Sequence, residues 1–150
     1  MTATLPAILL DPARRPAVVT DLEALVDQEV SESGGVSGAV VKTGYATVKK
    51  LKPGVVPAAV ERLLDEFTAA LEPFHADHRA AGGGDFGTYL AGRPDAADAL
   101  LGVTDARAER AGSEGLRKVY AKLRPQARKH VEQALPRLGR LIDRHAALVG

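Results

Sequence analysis

Two histidines one helical turn apart, His75 and His78 in FHADHRAA, are the first residues whose types and spacing could do chemistry. Two imidazoles at that spacing on a helix can hold a divalent metal ion if a third ligand arrives from elsewhere. His130, His145 or a carboxylate would have to supply it. No H-E-x-x-H or Glu-x-x-His pair accompanies the two rings. The plainer expectation is a pair of half-exposed histidines at a helix end just after Pro73. The chain has no cysteine, which excludes a disulfide framework, a thiolate metal site and a thiol nucleophile.

Basic residues make a second set. Lys49, Lys50 and Lys52 crowd one Lys-Leu-Lys-Pro phrase, and Lys122 and Arg124 crowd a Lys-Leu-Arg-Pro phrase, with Arg128 and Lys129 close behind. Each phrase reads as a helix end followed at once by a new helix. Cations in a last turn suit the helix dipole. The free N–H groups of the next helix attract anions as well, so the two turns are expected to be paired anion sites. Aromatic residues interleave thinly, only Tyr45 and Tyr120, so base stacking on a single strand has little support.

Three further patterns carry less. GGGDFG satisfies G-x-G-x-x-G at Gly82, Gly84 and Gly87, but the segment before it reads as helix where a dinucleotide site needs a strand. Ser113 in AGSEG falls short of a nucleophile elbow for the same reason and reads as a helix N-cap. Asp105, Arg107, Glu109 and Arg110 form a dense charged cluster, with Asp105 and Glu109 on one face and Arg107 and Arg110 on another. Such a face is usually solvated.

The elements that must position these groups are helical. Ala (26) and Leu (18) dominate the apolar set, while Ile (2), Phe (3) and Tyr (3) are scarce and Trp is missing. Good helix formers abound and sheet formers do not. No stretch alternates with period 2. Asp11-Pro12 reads as a capped start, and Pro16 opens a longer helix with Val18, Val19, Leu22, Leu25, Val26 and Val30 on one face. A second helix spans Ser37 to Leu51, with Gly44 where a neighbour could sit close. A third starts near Pro57 and buries Val60, Leu63, Leu64, Phe67, Leu71 and Phe74. Pro73 is expected to kink or end it. After Gly82–Gly84 come a short helix to Ala91, one from Pro94 to about Ala111, one from Ser113, and a last one opened by Pro125 and bent at Pro136. In that last helix Leu148 is expected to face inward.

The wording repeats. ARRPAVVTDLEALVD from Ala13 parallels AGRPDAADALLGVTD from Ala91, and the Lys-Leu-Lys/Arg-Pro phrases follow in the same order, at separations of 78 and then 72 residues. Charge also alternates by block: net −4 over 1–34, +4 over 35–58, −5 over 59–112 and +6 over 113–150. The expectation is an all-α, compact bundle of about six helices in a single domain, 1–150. It would be a pseudo-two-fold duplication of a three-helix unit, with halves 1–81 and 85–150 joined by the Gly82–Gly84 loop. At this length the chain can bury roughly 70% of its unfolded surface.

LLDPARRP, YATVKKLKPG and VTDARAER resemble the sequence blocks of an uncharacterised actinobacterial family of small all-helical proteins, a domain of unknown function. The resemblance covers most of the chain. It implies a single intracellular helical domain and brings no catalytic residue, cofactor or substrate with it.

MTATLPAILLDP lacks a basic start and its apolar run ends at Asp11, so it does not read as a signal peptide. No run approaches a membrane span. The expected location is the cytoplasm and no cofactor is expected. The leading functional expectation is a non-enzymatic interaction module, acting by self-association or protein binding. The alternatives are nucleic-acid or polyanion binding through the basic turns, and a small-molecule-binding or metal-dependent helical enzyme.

Overall fold

A computed structural model describes residues 4–110 and 112–149. Among them are seven helices and no strands: α1 (Leu5–Leu9), α2 (Arg15–Glu32), α3 (Gly35–Leu51), α4 (Val55–Ala80), α5 (Phe86–Ala91), α6 (Pro94–Glu109) and α7 (Glu114–Val149). No helix among the described residues is long and apolar enough to cross a membrane.

Local chemistry sets most of the boundaries. The Thr4 hydroxyl accepts from Ala7 N to cap α1, and Asp85 accepts from Gly87 N at 3.0 Å to cap α5. Pro16 and Pro94 sit in the first turns of α2 and α6, where a missing N–H costs nothing. Ser113 caps α7 by accepting from Leu116 N at 3.2 Å, the role its position predicts. Gly54 takes φ +81 to turn the chain from α3 into α4, and Gly82, Gly83 and Gly84 all have positive φ between α4 and α5. Side chains larger than hydrogen pay a steric cost there.

The structure departs from the sequence expectation at its prolines. Pro125 opens no helix, and it lies with Pro136 inside the unbroken 36-residue α7, about 54 Å long. Pro73 likewise lies inside α4, which continues to Ala80. The second half of the chain therefore carries two long helices where the first carries three, α2, α3 and α4. Packing keeps α7 whole: α5 and α6 lie along it and bury its stripe, which outweighs one lost backbone bond per proline. The expected start at Asp11-Pro12 is a turn, with Asp11 O accepting from both Arg14 N and Arg15 N. The expected end of α6 at about Ala111 lies outside the described residues.

The core gathers around α5. Phe86 and Leu90 are fully buried, together with Leu5 and Ile8 of α1, Val18 of α2, Leu64 of α4 and Ile142 of α7. Phe67 is only half-buried and Leu148 is 72% exposed, so of these two expected core positions one is partly open and the other faces outward. The opposite end of the molecule is looser. Along α3 only Gly38 is buried, while Val36 is 85% exposed.

Candidate functional site

His75 and His78 lie on the inner face of α4 and are buried. Their rings pack against Phe86, with centroids 5.0 and 5.3 Å away. Arg79 donates to His75 Nδ1 at 2.8 Å, and His78 Nε2 donates to Gly84 O at 3.1 Å, which ties the glycine loop to α4. Burial, and then the neighbouring Arg79 cation, push the His75 imidazole below its ordinary range. The two rings thus turn to separate partners. Among the described residues no group of three His, Cys, Asp or Glu is placed to hold a metal ion. His130 lies near Ser33 and Ser37, and buried His145 lies between Arg14 and Asp21, so neither joins the pair.

The basic residues of α7 are sorted by direction. Arg124 makes two bonds to Asp105, at 2.8 and 3.2 Å, and Arg128 makes two to Asp98, at 2.7 and 3.2 Å. Arg137 reaches Glu29 at 2.7 Å and Glu32 at 3.3 Å. These arginines clamp α7 to the acidic helices α6 and α2. Lys118, Lys122, Lys129, Arg140 and Arg144 stand on the outer face, exposed and at helical spacing. At Pro125 no helix starts, so no free N–H group supports an anion beside Lys122, Arg124, Arg128 and Lys129. In the first phrase Lys49 sits over the Tyr45 ring, 4.9 Å from its centroid, and 3.8 Å from Asp27. Lys50 is exposed, and Lys52 caps the end of α3.

Lys52 also belongs to a half-open cleft of about 670 Å³ where the ends of α3 and α6 meet the starts of α4 and α7. Val48, Val55, Leu63, Leu116 and Leu123 make an apolar floor. Leu123 fills the space left by Gly44, where a Cβ would come within 2.5 Å of it, as that glycine's place on α3 predicts. Lys52, Arg62, Arg107, Arg110 and Arg117 stand around the cleft, and no acidic residue lines it among the described residues. Lys52, Arg62, Arg107 and Arg110 have no ion-pair partner among the described residues, whereas Arg124, Arg128 and Arg137 are all paired.

Under one wall Tyr120 donates to Asp105, and its oxygen lies 2.9 Å from that of Thr104. The Arg124 guanidinium, and then the Tyr120 hydroxyl, hold the Asp105 carboxyl below the usual range. Burial and the Asp105 charge push the Tyr120 phenol up, so it stays a donor. This network stiffens the joint between α6 and α7 and leaves Arg107 and Arg110 to face outward. The cluster at Asp105–Arg110, expected to be a solvated face, is thus split between a clamp and a cleft wall. Arg62 and Arg117 gave no signal in sequence, because a lone arginine on a helix is ordinary.

A second concavity, about 230 Å³, is polar and lies at Glu29, Ser33, Pro136 and Arg140. No curated protein and no solved structure matches the chain. A family model matches residues 5–146, nearly the whole chain, and the chain belongs to that family, described as a family of unknown function (DUF6918).

Proposed function

We propose that the protein is a non-enzymatic binding module, and that the cleft between α3, α4, α6 and α7 takes up an anionic partner with an apolar body. The observation that carries this reading is the group of four cations, without ion-pair partners among the described residues, around an apolar floor. Unpaired like charges repel one another, and exposed apolar surface is unfavourable in water. A ligand with carboxylates or a sulfonate beside apolar groups relieves both. The volume falls within the range typical of ligand sites. The test is a fluorescence titration with anilinonaphthalene sulfonate, an anion with an apolar ring system. We expect one site per chain, weaker binding at high salt, and loss of binding in Arg107→Glu with the fold intact by circular dichroism. Equal binding by the natural protein and this variant would sink the reading.

The outward line on α7 favours a second reading, polyanion binding. Lys122, Lys129, Arg140 and Arg144 stand on one exposed face without ion pairs among the described residues. Affinity for duplex DNA should then fall with a log–log salt slope near −0.9 per phosphate neutralised. Absent binding at low ionic strength removes this alternative.

A further inference from the structure

We infer that the occupant of the cleft is an acidic amphipathic helix of a protein partner; this rests on the reading of the cleft as a binding surface. The shape points to a helix. The α4 wall runs from Val55 to Arg62 and the α7 wall from Leu116 to Leu123. Each covers about 10 Å, or two turns, which is the distance between anchors i and i+7 of a docked helix. The apolar residues Val55, Leu63, Leu116 and Leu123 lie along these two walls, as a helix-in-groove site requires.

The charges point to a helix that carries acid beside its apolar stripe. Lys52 comes from α3, Arg62 from α4, and Arg107 and Arg110 from the end of α6. Cations thus reach the cleft from three helices, more than a single anionic head can meet. A helix with carboxylates flanking an apolar stripe meets several of them at once. Basic partners are rejected, because the cleft offers no carboxylate among the described residues and like charges brought together repel.

The surrounding packing agrees. Large fully buried side chains cluster at the α5 end, and α3 beside the cleft buries only a glycine. A second copy of the chain is a poor occupant. Its most acidic helix, α2, has Asp21 on His145, Asp27 on Tyr45, and Glu29 and Glu32 on Arg137. Those carboxylates are already committed within their own chain.

The experiment selects from a displayed library of helical peptides, each roughly 14 residues or four turns long, against the full chain at low salt. The expected winners carry Asp or Glu flanking an i, i+3/i+4, i+7 apolar stripe. They should bind one to one by calorimetry and displace anilinonaphthalene sulfonate. Affinity should drop by about tenfold or more in Arg62→Glu and in Arg107→Glu, both exposed positions whose variants are checked for an unchanged melting temperature. Neutral or basic winners would overturn the inference. Displacement of the dye by laurate with no peptide selected would also overturn it, while leaving the cleft a binding site for small anions. Self-association in sedimentation velocity that Arg107→Glu abolishes would assign the cleft to a second copy and overturn it too. If neither dye nor peptide binds, the reading of the cleft fails along with its occupant.

Discussion

Gly139 of α7 and Gly87 of α5 meet backbone to backbone: a Cβ placed on Gly139 would lie 2.4 Å from Gly87 Cα and 2.5 Å from Gly87 N. This contact lets α5 lie flat on α7, and so lets Phe86 reach the centre of the core. The neighbouring backbone cannot give way as a flexible side chain would. Gly139→Ala should therefore destabilise the protein by about 3 kcal/mol or more, despite the higher helix propensity of alanine. Gly102, in the middle of α6 with nothing within 4 Å of its missing Cβ, is the control. Gly102→Ala should stabilise by about 0.5–1 kcal/mol. Urea denaturation of both variants reads the difference, and equal signs would mean that the α5–α7 contact is not close.

Phe86 and Phe67 separate the real core from the expected one. Phe86 is fully buried against His75, His78 and Tyr89, while Phe67 is half-buried. Phe86→Ala should cost about 3–5 kcal/mol and Phe67→Ala clearly less. The reverse order in thermal or chemical unfolding would contradict the placement of α5 at the centre.

Pro125 lies exposed inside α7 and denies the backbone one N–H bond. Pro125→Ala should restore it and stabilise the protein by about 1–2 kcal/mol, after allowing for the looser unfolded chain that loss of proline brings. Had Pro125 opened a helix, alanine there would bring no such gain. The midpoint of urea unfolding distinguishes the two.

Asp85 and Asp143 give the fold a pH dependence. Asp143 Oδ2 accepts from Phe86 N at 3.0 Å, and Asp85 Oδ1 accepts from Gly87 N at 3.0 Å, so both carboxyl groups stand at the start of α5. Burial, and then Asp85, push the Asp143 carboxyl up, while bonds from Thr88 and then from Asp143 hold Asp85 down. The Asp143 contribution is full below its unfolded value and is lost as pH rises through its folded one. The Asp85 contribution runs the other way and is lost as pH falls through its folded value. As pH rises through the folded value of Asp143, its carboxyl gains a charge beside that of Asp85 and the two repel. Asp143→Asn keeps an oxygen for Phe86 N, offers an N–H to Asp85 and carries no charge. Its melting temperature should exceed that of the natural protein at neutral pH, with the advantage shrinking in acid. A pH-independent difference would show that the two carboxyl groups do not repel one another.

The helical class, the Ser113 and Asp85 caps, the glycine turns at Gly54 and Gly82–Gly84 and the close approach at Gly44 were all legible in the sequence. Each depends on a residue and its near neighbours along the chain. A left-handed turn needs glycine, an N-cap needs an oxygen, and an Ala- and Leu-rich chain without period-2 alternation favours helix whatever it packs against. The aliphatic stripe of α4 was legible for the same reason, since helical spacing puts Leu63, Leu64 and Leu71 on one face.

Only the tertiary structure decided how prolines and charges were used. A proline signals a break when its helix is alone, yet α7 passes through Pro125 and Pro136 because α5 and α6 pack along it. That one unbroken helix removes the second anion-binding turn and leaves the second half with two long helices, α6 and α7, where the repeated wording predicted three. Tertiary packing also decided which cations were free. Arg124, Arg128 and Arg137 meet carboxylates 19, 30 and 108 residues away, while Arg62 and Arg107, from different helices, come together around one cleft. Charge is a property of a residue, but whether it is neutralised depends on partners within a few ångströms. Those distances are set by how the helices pack, which no local spacing encodes.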